Sequence, residues 1–208
     1  MILHGYFRSS ASYRVRIALN LKGVSYHDAF HHLLRGEQRS PDYLAINPQG
    51  MVPALEVDGE ILTQSLAICE YLDDAFPEPA LLPTDAVARA RIRAFAQVIA
   101  CEIHPLQNLK VLRHLGELGM TKEQVKGWAQ RVIDDGLEAC SRLIATQDGP
   151  YCFGDSVTLA DVFLVPQLAN ARRFGARMDW PRLEAIEKAC LALPAFANAA
   201  PEAQQDAE

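Results

Sequence analysis

The sequence lacks the features that mark several other classes of protein. No apolar run approaches the length of a membrane-spanning helix, and the chain starts with a strand-like pattern rather than a basic and then apolar leader. We therefore expect a cytoplasmic protein that has no membrane partner. Basic residues are too few to balance the acidic ones, and the resulting net charge of -6 argues against nucleic acid as a partner.

The cysteines lack the spacing of a metal site or of a disulfide framework. The chain has five of them, an odd number, and no two form a CxxC pair. This pattern fits reduced thiols in a reducing compartment, so we expect most of the cysteines to be small core residues and no metal to be bound. The five are Cys69, Cys101, Cys140, Cys152 and Cys190.

The composition that remains is that of a soluble globular protein. Hydrophobic residues make up 50% of the chain and charged residues 22%, and 208 residues suffice for one large domain or two small ones. The patterns change at residues 77–84, where Pro-Glu-Pro-Ala-Leu-Leu-Pro-Thr carries three prolines and shows no helical or strand period. We interpret this stretch as a linker between two domains.

Strand and helix patterns alternate before the linker. An apolar run at residues 2–7 precedes a helix pattern that stops near Lys22, and alternating polar and apolar residues at 25–30 predict a second strand. Asp58-Gly59 between two apolar runs predicts a hairpin, and a helix follows from Ser65. The predicted order of elements is therefore βαβ and then ββα.

Only helical patterns are convincing beyond the linker. Pro105 should kink the first long helix near His104, unless the helix begins anew there. Thr121 and Gln124 have the spacing of a capping box that starts the next helix. The polar and acidic tail from Pro201 is expected to fray. The predicted helices span residues 85–118, 121–145, 158–174 and 182–193.

Two serines lie where the first strand hands over to a helix, within the stretch from Arg8 to Leu19. The N-terminus of a helix has unpaired N–H groups and the positive end of the helix dipole, so it stabilises an anion placed there. Ser9 or Ser10 can add a hydroxyl donor to such an anion. The simpler interpretation is that one of the serines of this stretch only caps the helix.

The motif Arg-Ser-Ser-x-Ser-x-x-Val-Arg-Ile-Ala-Leu, from Arg8 to Leu19, resembles the signature of the zeta class of glutathione transferases. That class includes maleylacetoacetate isomerase and has maleylpyruvate isomerase as a close bacterial relative. Ala11 stands where the signature usually has Cys, which removes a thiol but leaves the serine pair intact. The resemblance covers essentially the whole chain and implies an α/β plus all-α fold. Its parts are a thioredoxin-like βαβ-ββα domain at residues 1–80, which binds glutathione, and an all-helical substrate-binding domain at residues 85–208, usually paired as a homodimer.

The resemblance also implies glutathione contacts in the first domain. Val52-Pro53 matches the cis-proline position of the thioredoxin-like fold, where the Val52 backbone would pair with the cysteinyl part of glutathione. Gln64 and Ser65 would hold the γ-glutamyl carboxylate at a helix N-terminus, and Gln49 is a candidate for the glycyl end. Apart from the resemblance, Ser65 is an ordinary N-cap and Gln49 an ordinary loop glutamine.

Candidate residues of the second domain are His104 and Asn108, which are four residues apart and are expected to share one helix face. The resemblance implies that they contact glutathione or the substrate, whereas a lone histidine is more often structural. It also favours Arg173 as an arginine of the active site. Arg8 and Arg173 would then clamp the two carboxylates of a dicarboxylate substrate, and surface solvation is the alternative for each.

Other polar residues receive structural roles. Thr158 and Asp161 match the folding-related capping box of the family, so removing either should cost stability rather than turnover. The remaining candidates are interpreted as structural or solvated: His4, Arg14, Arg16, His31 and His32.

The function that the resemblance implies is a glutathione-dependent cis-trans isomerase. Its first expected substrate is maleylacetoacetate, which is converted to fumarylacetoacetate in tyrosine and phenylalanine breakdown. Ser9-Ser10 after Arg8, and Leu109 after Asn108, favour this substrate over maleylpyruvate of the gentisate pathway. A general glutathione transferase is a third reading, and a non-catalytic binding or stress protein of the same fold is a fourth.

Overall fold

The computed structural model describes all 208 residues and divides into two compact units. Unit 1 joins Met1–Ala80 to Leu191–Glu208, and unit 2 is Leu81–Cys190. No helix combines the length and the apolar character that crossing a bilayer requires. The elements of unit 1 are β1 (Ile2–Gly5), α1 (Ser10–Leu21), β2 (His27–Phe30), α2 (Pro41–Ile46), β3 (Ala54–Val57), β4 (Glu60–Thr63), α3 (Ser65–Ala75) and, after unit 2, α9 (Pro194–Ala197).

A four-stranded mixed sheet forms the centre of unit 1, in the order β2-β1-β3-β4. β1 and β2 are parallel and are connected through α1, whereas β3 pairs with both β1 and β4 in antiparallel fashion. Helix α3 follows β4 and packs on α1. The predicted βαβ-ββα order is therefore confirmed.

Local sequence explains the turns of the sheet. Asp58 and Gly59 connect β3 to β4, and both have positive φ (52° and 84°), which is why an Asp-Gly pair suits this hairpin. Gly50 also has positive φ (60°), and a Cβ atom there would lie 3.0 Å from the carbonyl oxygen of Gln38. The Val52–Pro53 peptide bond is cis, as predicted, and a second cis bond at Glu78–Pro79 lies in the linker.

The helices of unit 2 follow the predicted segments with one interruption. The long first helix is divided into α4 (Ala86–Gln97), a π-helical stretch (Val98–Ile103) and α5 (Leu109–Glu117). Pro105 lies in the break, as its missing N–H and fixed φ require. The remaining helices are α6 (Lys122–Leu143), α7 (Leu159–Phe174) and α8, which begins in unit 2 and spans Pro181–Leu191.

Capping and close packing fix the ends and contacts of α6. The predicted capping box is present, because the Thr121 hydroxyl accepts from the Gln124 N–H while the Gln124 side chain accepts from the Thr121 N–H. Gly136 faces the π-helical stretch, and a Cβ atom at this position would overlap the Ile103 side chain. The absence of a side chain at Gly136 therefore allows α6 to pack closely there.

Helix α7 is the most deeply buried element of unit 2. Its N-terminal carboxyl group, Asp161, is fully buried and accepts hydrogen bonds from the Cys152 N–H, the Thr158 N–H and the Thr158 hydroxyl at 2.8, 2.8 and 2.9 Å. Burial raises the pKa of Asp161, and these hydrogen bonds oppose that rise. The capping box at Thr158 therefore ties a loop to the start of the helix.

The C-terminal segment, residues 191–208, departs from the sequence-based expectation. The predicted helical domain extended to residue 208, but this segment packs with residues 1–80. The prediction that the tail frays from Pro201 is wrong, because the tail contains a 3-10 turn (Pro201–Ala203) and Asp206 accepts a hydrogen bond from the Phe7 N–H. Three side chains of α1 donate to backbone carbonyl groups of this segment, and no local sequence pattern reveals these long-range bonds.

Candidate active site

Three candidate segments meet at one edge of the sheet in unit 1. The register places His4 of β1 opposite Ala54 of β3, and Ala54 opposite Thr63 of β4. The chain leaves β1 towards Ser9, enters β3 from Val52-Pro53 and leaves β4 towards Gln64 on this same side. The topology therefore brings together the segments that hold most of the predicted glutathione contacts.

Ser9 and Ser10 occupy the N-terminus of α1. Ser9 is the N-cap, with extended backbone, and its Oγ accepts from the Ser12 N–H at 3.2 Å. Ser10 is buried and is the first residue of the helix, whereas Arg8 is exposed. Ser9 therefore caps the helix, and this bond leaves its hydroxyl proton available to a further acceptor.

The second element with a polar N-terminus is α3. Gln64 precedes it with a positive φ of 68°, a conformation that is rare outside glycine and that clusters at ligand sites. Its side chain makes no capping bond to the helix. Ser65 is 7% exposed, and its Oγ accepts from the buried Arg14 guanidinium at 3.2 Å. A cation therefore lies behind the first turn of α3, where it adds to the anion-stabilising end of the helix dipole.

The loop before β3 is held by side chains from α2 and its C-terminal end. The carbonyl oxygen of Met51 accepts from the Tyr43 hydroxyl at 2.6 Å and from Asn47 Nδ2 at 2.8 Å. Asn47 Oδ1 also accepts from the Gln49 N–H at 3.1 Å. These bonds fix the peptide just before Val52, the residue whose backbone is predicted to pair with a strand-like ligand.

Gln49 and Gln64 contact each other, although they are 15 residues apart. The Gln64 amide donates to Gln49 Oε1 at 2.9 Å, and both side chains are exposed. The structure therefore brings the loop before β3 and the start of α3 into one polar surface. An extended peptide that carries a carboxylate fits this surface, because it meets a strand entrance, a helix N-terminus and amide donors.

A pair of histidines lies beneath the same end of β1. His4 Nδ1 and His31 Nε2 are 3.0 Å apart, and the two rings stack at 5.3 Å between centroids. Burial lowers the pKa of both, and for His4 the nearby Glu56 partly offsets that effect. The lowered pKa values favour the neutral form of both imidazoles, in which one ring can donate to the other across the contact.

In unit 2, His104 and Asn108 do not share a face of one continuous helix, so that expectation is wrong. The π-helical stretch ends before His104, and Asn108 is the N-cap of α5, with its Oδ1 accepting from the Lys110 N–H at 3.0 Å. The turn between them is attached to α6, because Trp128 Nε1 donates to the Leu106 carbonyl at 2.9 Å. Pro105 is the physical reason, since it cannot continue the helix.

Adjacent arginines near the end of α7 have different environments. Arg172 is bound through both terminal nitrogens to the carboxylate of Glu187, which is 4% exposed. Arg173 is exposed, with its guanidinium carbon 5.1 Å from the centre of the Phe174 ring. Arg172 therefore forms an ion pair with Glu187, whereas Arg173 lies against the Phe174 ring.

Arg173 also lines a cavity of about 390 Å³ within unit 2. Three further cations line the cavity, Arg113, Lys122 and Lys126, and no carboxylate does. Leu112, Met120, Val125 and Phe174 supply apolar surface. Such a cavity favours a small anion with an apolar body.

Sequence reasoning missed the residues that support the site from behind. In the sequence, Arg14 is indistinguishable from a structural or solvated arginine, and Tyr43 from an ordinary helix residue. The helix pattern of α1 does not reveal that residues 10–19 are all buried. Asn47 before Pro48 did offer a signal, because asparagine side chains commonly bond to the backbone of the turn that follows.

Comparisons with known proteins agree with this geometry. Residues 3–80 match the glutathione S-transferase N-terminal domain, and residues 85–188 match the glutathione S-transferase C-terminal domain. The chain is 50% identical to maleylacetoacetate isomerase of Pseudomonas aeruginosa, over 99% of this chain and 98% of that protein.

Solved structures give the same result. A holo structure of maleylpyruvate isomerase, described as a bacterial zeta-class glutathione S-transferase, has a TM-score of 0.98 and 43% identity, with all of both chains covered. A maleylacetoacetate isomerase from Methylobacterium extorquens AM1 with bound malonate and glutathione has a TM-score of 0.96 and 40% identity, again over both whole chains. The chain therefore belongs to the glutathione S-transferase family, in the zeta class of the maleylacetoacetate and maleylpyruvate isomerases.

Proposed function

We propose that this protein is a glutathione-dependent cis-trans isomerase that converts maleylacetoacetate to fumarylacetoacetate, a step of tyrosine and phenylalanine breakdown. The observation that carries the proposal is the shared sheet edge of unit 1, where the N-terminus of α1, the loop before β3 and the N-terminus of α3 meet. The identity of 50% to a maleylacetoacetate isomerase, over nearly the whole chain, supports the same proposal.

The residues of unit 1 suit the separate parts of glutathione. Gln64 and Ser65 bind the γ-glutamyl carboxylate, because Arg14 and the open N–H groups of α3 favour negative charge there. The Val52 backbone pairs with the cysteinyl part as an added strand would, and Gln49 binds the glycyl end. The fixed Met51 carbonyl supports this assignment, since it orients the peptide that precedes Val52.

The N-terminus of α1 lowers the pKa of a thiol bound beside it. Ser9 donates its hydroxyl proton to the sulfur while its oxygen still accepts from the Ser12 N–H. Ser10 supplies the alternative hydroxyl. When bound, glutathione supplies a thiolate whose reversible addition to the maleyl double bond permits rotation about that bond, without net consumption of glutathione.

Arginine side chains recognise the carboxylates of the substrate and stabilise the negative charge that develops on its oxygens. Arg8 is exposed directly before Ser9, and Arg173 lines the basic cavity of unit 2. His104 and Asn108 are assigned to glutathione or substrate contacts in the turn before α5. The malonate bound to the Methylobacterium extorquens relative supports a dicarboxylate as the ligand class.

Maleylpyruvate is the second candidate substrate. The maleylpyruvate isomerase holo structure superposes with a TM-score of 0.98, which favours a similar pocket shape. The two substrates share the maleyl group and differ in the group beyond it, so a few pocket residues decide between them.

An absorbance assay of each substrate, with and without glutathione, tests the proposal. We expect turnover of maleylacetoacetate only when glutathione is present, with all the glutathione recovered at the end. Turnover of maleylpyruvate alone would instead assign the protein to the gentisate pathway as a maleylpyruvate isomerase. Net loss of glutathione with halogenated electrophiles would indicate a conjugating transferase, and absence of any turnover would contradict the isomerase proposal.

The protein's setting is also part of the proposal. We infer from the family resemblance that the chain works as a homodimer in the cytoplasm. Sedimentation velocity at micromolar concentration tests the dimer, since a single species near the monomer mass of 23.0 kDa would contradict it.

A further inference from the structure

The loop that carries Arg8 and Ser9 is held from two sides by groups outside it. The carbonyl oxygens of Tyr6 and Phe7 accept from the Arg16 guanidinium at 3.5 and 3.1 Å. On the other side, the Phe7 N–H donates to Asp206 Oδ2 at 3.0 Å, across 199 residues of sequence. The peptide groups just before Arg8 are therefore fixed by one buried cation and one distant carboxylate.

Arg16 connects the same loop to the C-terminal segment. It is 3% exposed, and its Nε donates to the Ala199 carbonyl at 2.9 Å. Other charged or titratable groups around it are Asp206, Asp28 and Tyr26. A buried guanidinium needs its acceptors, so Arg16 stabilises the loop and the segment together.

Contacts between residues 191–208 and residues 1–80 hold Asp206 in this position. Tyr13 Oη donates to the Phe196 carbonyl at 3.3 Å, and Asn20 Nδ2 donates to the Ala195 carbonyl at 3.0 Å. Beyond Asp206, Glu208 pairs with the Arg35 guanidinium at 2.7 Å. The segment is thus fastened both before and after the carboxylate, and Asp206 is not on a loose end.

We propose that Asp206 is a positioning residue for the active site, because its carboxylate fixes the peptide that aims Arg8 and Ser9. The inference rests on the proposed function, since it assigns a catalytic task to that loop. Without the acceptor, the Phe7 N–H turns to water and the loop samples other conformations. Misplacement of a reacting group by about 1 Å can cost about 100-fold in rate, so a single lost bond at this point affects turnover.

Two substitutions separate the hydrogen bond from the charge. Asp206→Ala removes the acceptor, whereas Asp206→Asn removes the charge but keeps a carbonyl oxygen that can accept from Phe7. Glu202→Gln is the matched control, because Glu202 is an exposed carboxylate in the same segment. All three are made in the full chain.

We expect Asp206→Ala to lower kcat/KM by about 10-fold or more, with little change in the KM for glutathione. The pKa of the bound glutathione thiol, followed by thiolate absorbance, should rise in this variant because Ser9 no longer donates well. Asp206→Asn and Glu202→Gln should behave as wild type. Equal losses in the alanine and asparagine variants, or wild-type values in both, would overturn the proposal.

Hydrogen exchange at the Phe7 amide gives a readout that is independent of activity. We expect faster exchange in Asp206→Ala than in wild type, and wild-type protection in Asp206→Asn. If the wild type fails to isomerise any substrate, the proposed function fails on its own, while the exchange rates still decide whether Asp206 holds the loop. Unchanged exchange in Asp206→Ala would overturn the positioning role.

Discussion

Two helices, one in each unit, begin with a hydroxyl N-cap but use it differently. At α1, Ser9 caps the helix beside the exposed Arg8, at an open edge of the sheet. At α7, the Thr158 hydroxyl donates to the carboxylate of the fully buried Asp161, which also accepts from the Cys152 N–H. The polar side chains at the start of α7 are thus bonded within unit 2, whereas the start of α1 lies where a ligand is proposed.

The comparison shows that a capping motif alone does not reveal whether a helix start is functional. In both helices the N-cap hydroxyl bonds to the residue three positions later: Ser9 accepts from the Ser12 N–H, and Thr158 donates to the Asp161 carboxylate. The difference lies in burial and in whether the hydroxyl proton already has an acceptor inside the protein. Removing the Ser9 hydroxyl should therefore affect turnover far more than stability, and removing a side chain of the Thr158–Asp161 capping box should do the reverse.

The largest effect is expected at Ser9. Ser9→Ala and Ser9→Gly both remove the hydroxyl, so each should lower kcat/KM by about 100- to 1000-fold, the usual loss for one donor to a developing anion. Their stabilities should differ, because alanine at an N-cap costs about 1 kcal/mol and glycine only a few tenths. Urea unfolding and isomerase kinetics on the same samples measure both quantities.

The matched variant for Ser9 is Ser10→Ala, which alters the neighbouring hydroxyl. If Ser10→Ala loses turnover while Ser9→Ala keeps it, Ser10 is the donor and the N-cap role of Ser9 is purely structural. If Ser9→Gly retains turnover and Ser9→Ala does not, activity follows helix capping, and the distinction between the two helix starts collapses.

The second effect is expected at Asp161. Asp161→Ala leaves the Cys152 and Thr158 N–H groups buried without acceptors, so we expect a loss of about 2 to 4 kcal/mol in the free energy of unfolding. Activity per folded molecule should stay at the wild-type value. Denaturant titration and kinetics corrected for the folded fraction check this, and a fall in kcat at full folding would contradict it.

Arg172 and Arg173 provide a smaller test of the same comparison. Arg173→Leu should lower kcat/KM by about 10- to 100-fold, the value of one charged hydrogen bond, and should leave stability unchanged. Arg172→Leu leaves the buried Glu187 without its partner, so it should lower the free energy of unfolding by about 1 to 2 kcal/mol, since Arg172 itself is partly exposed and screened. An exchange of these two outcomes would reassign the active-site arginine to Arg172.

The smallest effect is the pH dependence from His4 and His31. Their pKa values are lower in the folded protein than the ordinary 6.5, so the unfolded chain binds more protons below that pH. Stability is therefore fully present above about pH 6.5 and falls on acidification, by at most about 1.4 kcal/mol per pH unit for each group.

His31→Gln removes one of these two titrations, so its unfolding free energy should fall less between pH 7.5 and pH 5.5 than that of the wild type. The difference should be below about 1 kcal/mol. His27→Gln, at an exposed histidine on β2, is the control. A steeper fall in His31→Gln would mean that the pair is stabilised by protonation.

Local patterns predicted those parts of the fold that depend on neighbours in sequence. Asp58-Gly59 predicted the hairpin because its turn needs positive φ, and Thr121 with Gln124 predicted the start of α6 through a capping box that is present. Pro105 predicted the break in the first long helix of unit 2. In each case the residues that determine the turn, the cap or the break are within a few positions of one another, so the local sequence is enough to predict it.

Pairings across long stretches of chain could not be predicted in this way. The Phe7–Asp206 bond, the Arg14–Ser65 bond and the contact of α9 with α1 join residues between 51 and 199 positions apart, or elements at opposite ends of the chain. From the sequence alone, a single arginine or aspartate cannot be distinguished from a solvated charge, because its burial depends on the fold. The family resemblance supplied the candidate ligand contacts, but it did not supply the side chains that hold them from behind.

The C-terminal segment also sets the order in which the protein can be completed during synthesis. Residues 1–80 leave the ribosome first, yet the carbonyls of Phe196 and Ala199 and the carboxylate of Asp206 are supplied by residues translated after all of unit 2. Until then the nascent chain holds Arg16 without one of its acceptors and the Phe7 amide without its partner. The first unit to be translated is therefore the last to be completed, and we expect a chain that ends before residue 191 to leave the loop at Phe7 without these bonds.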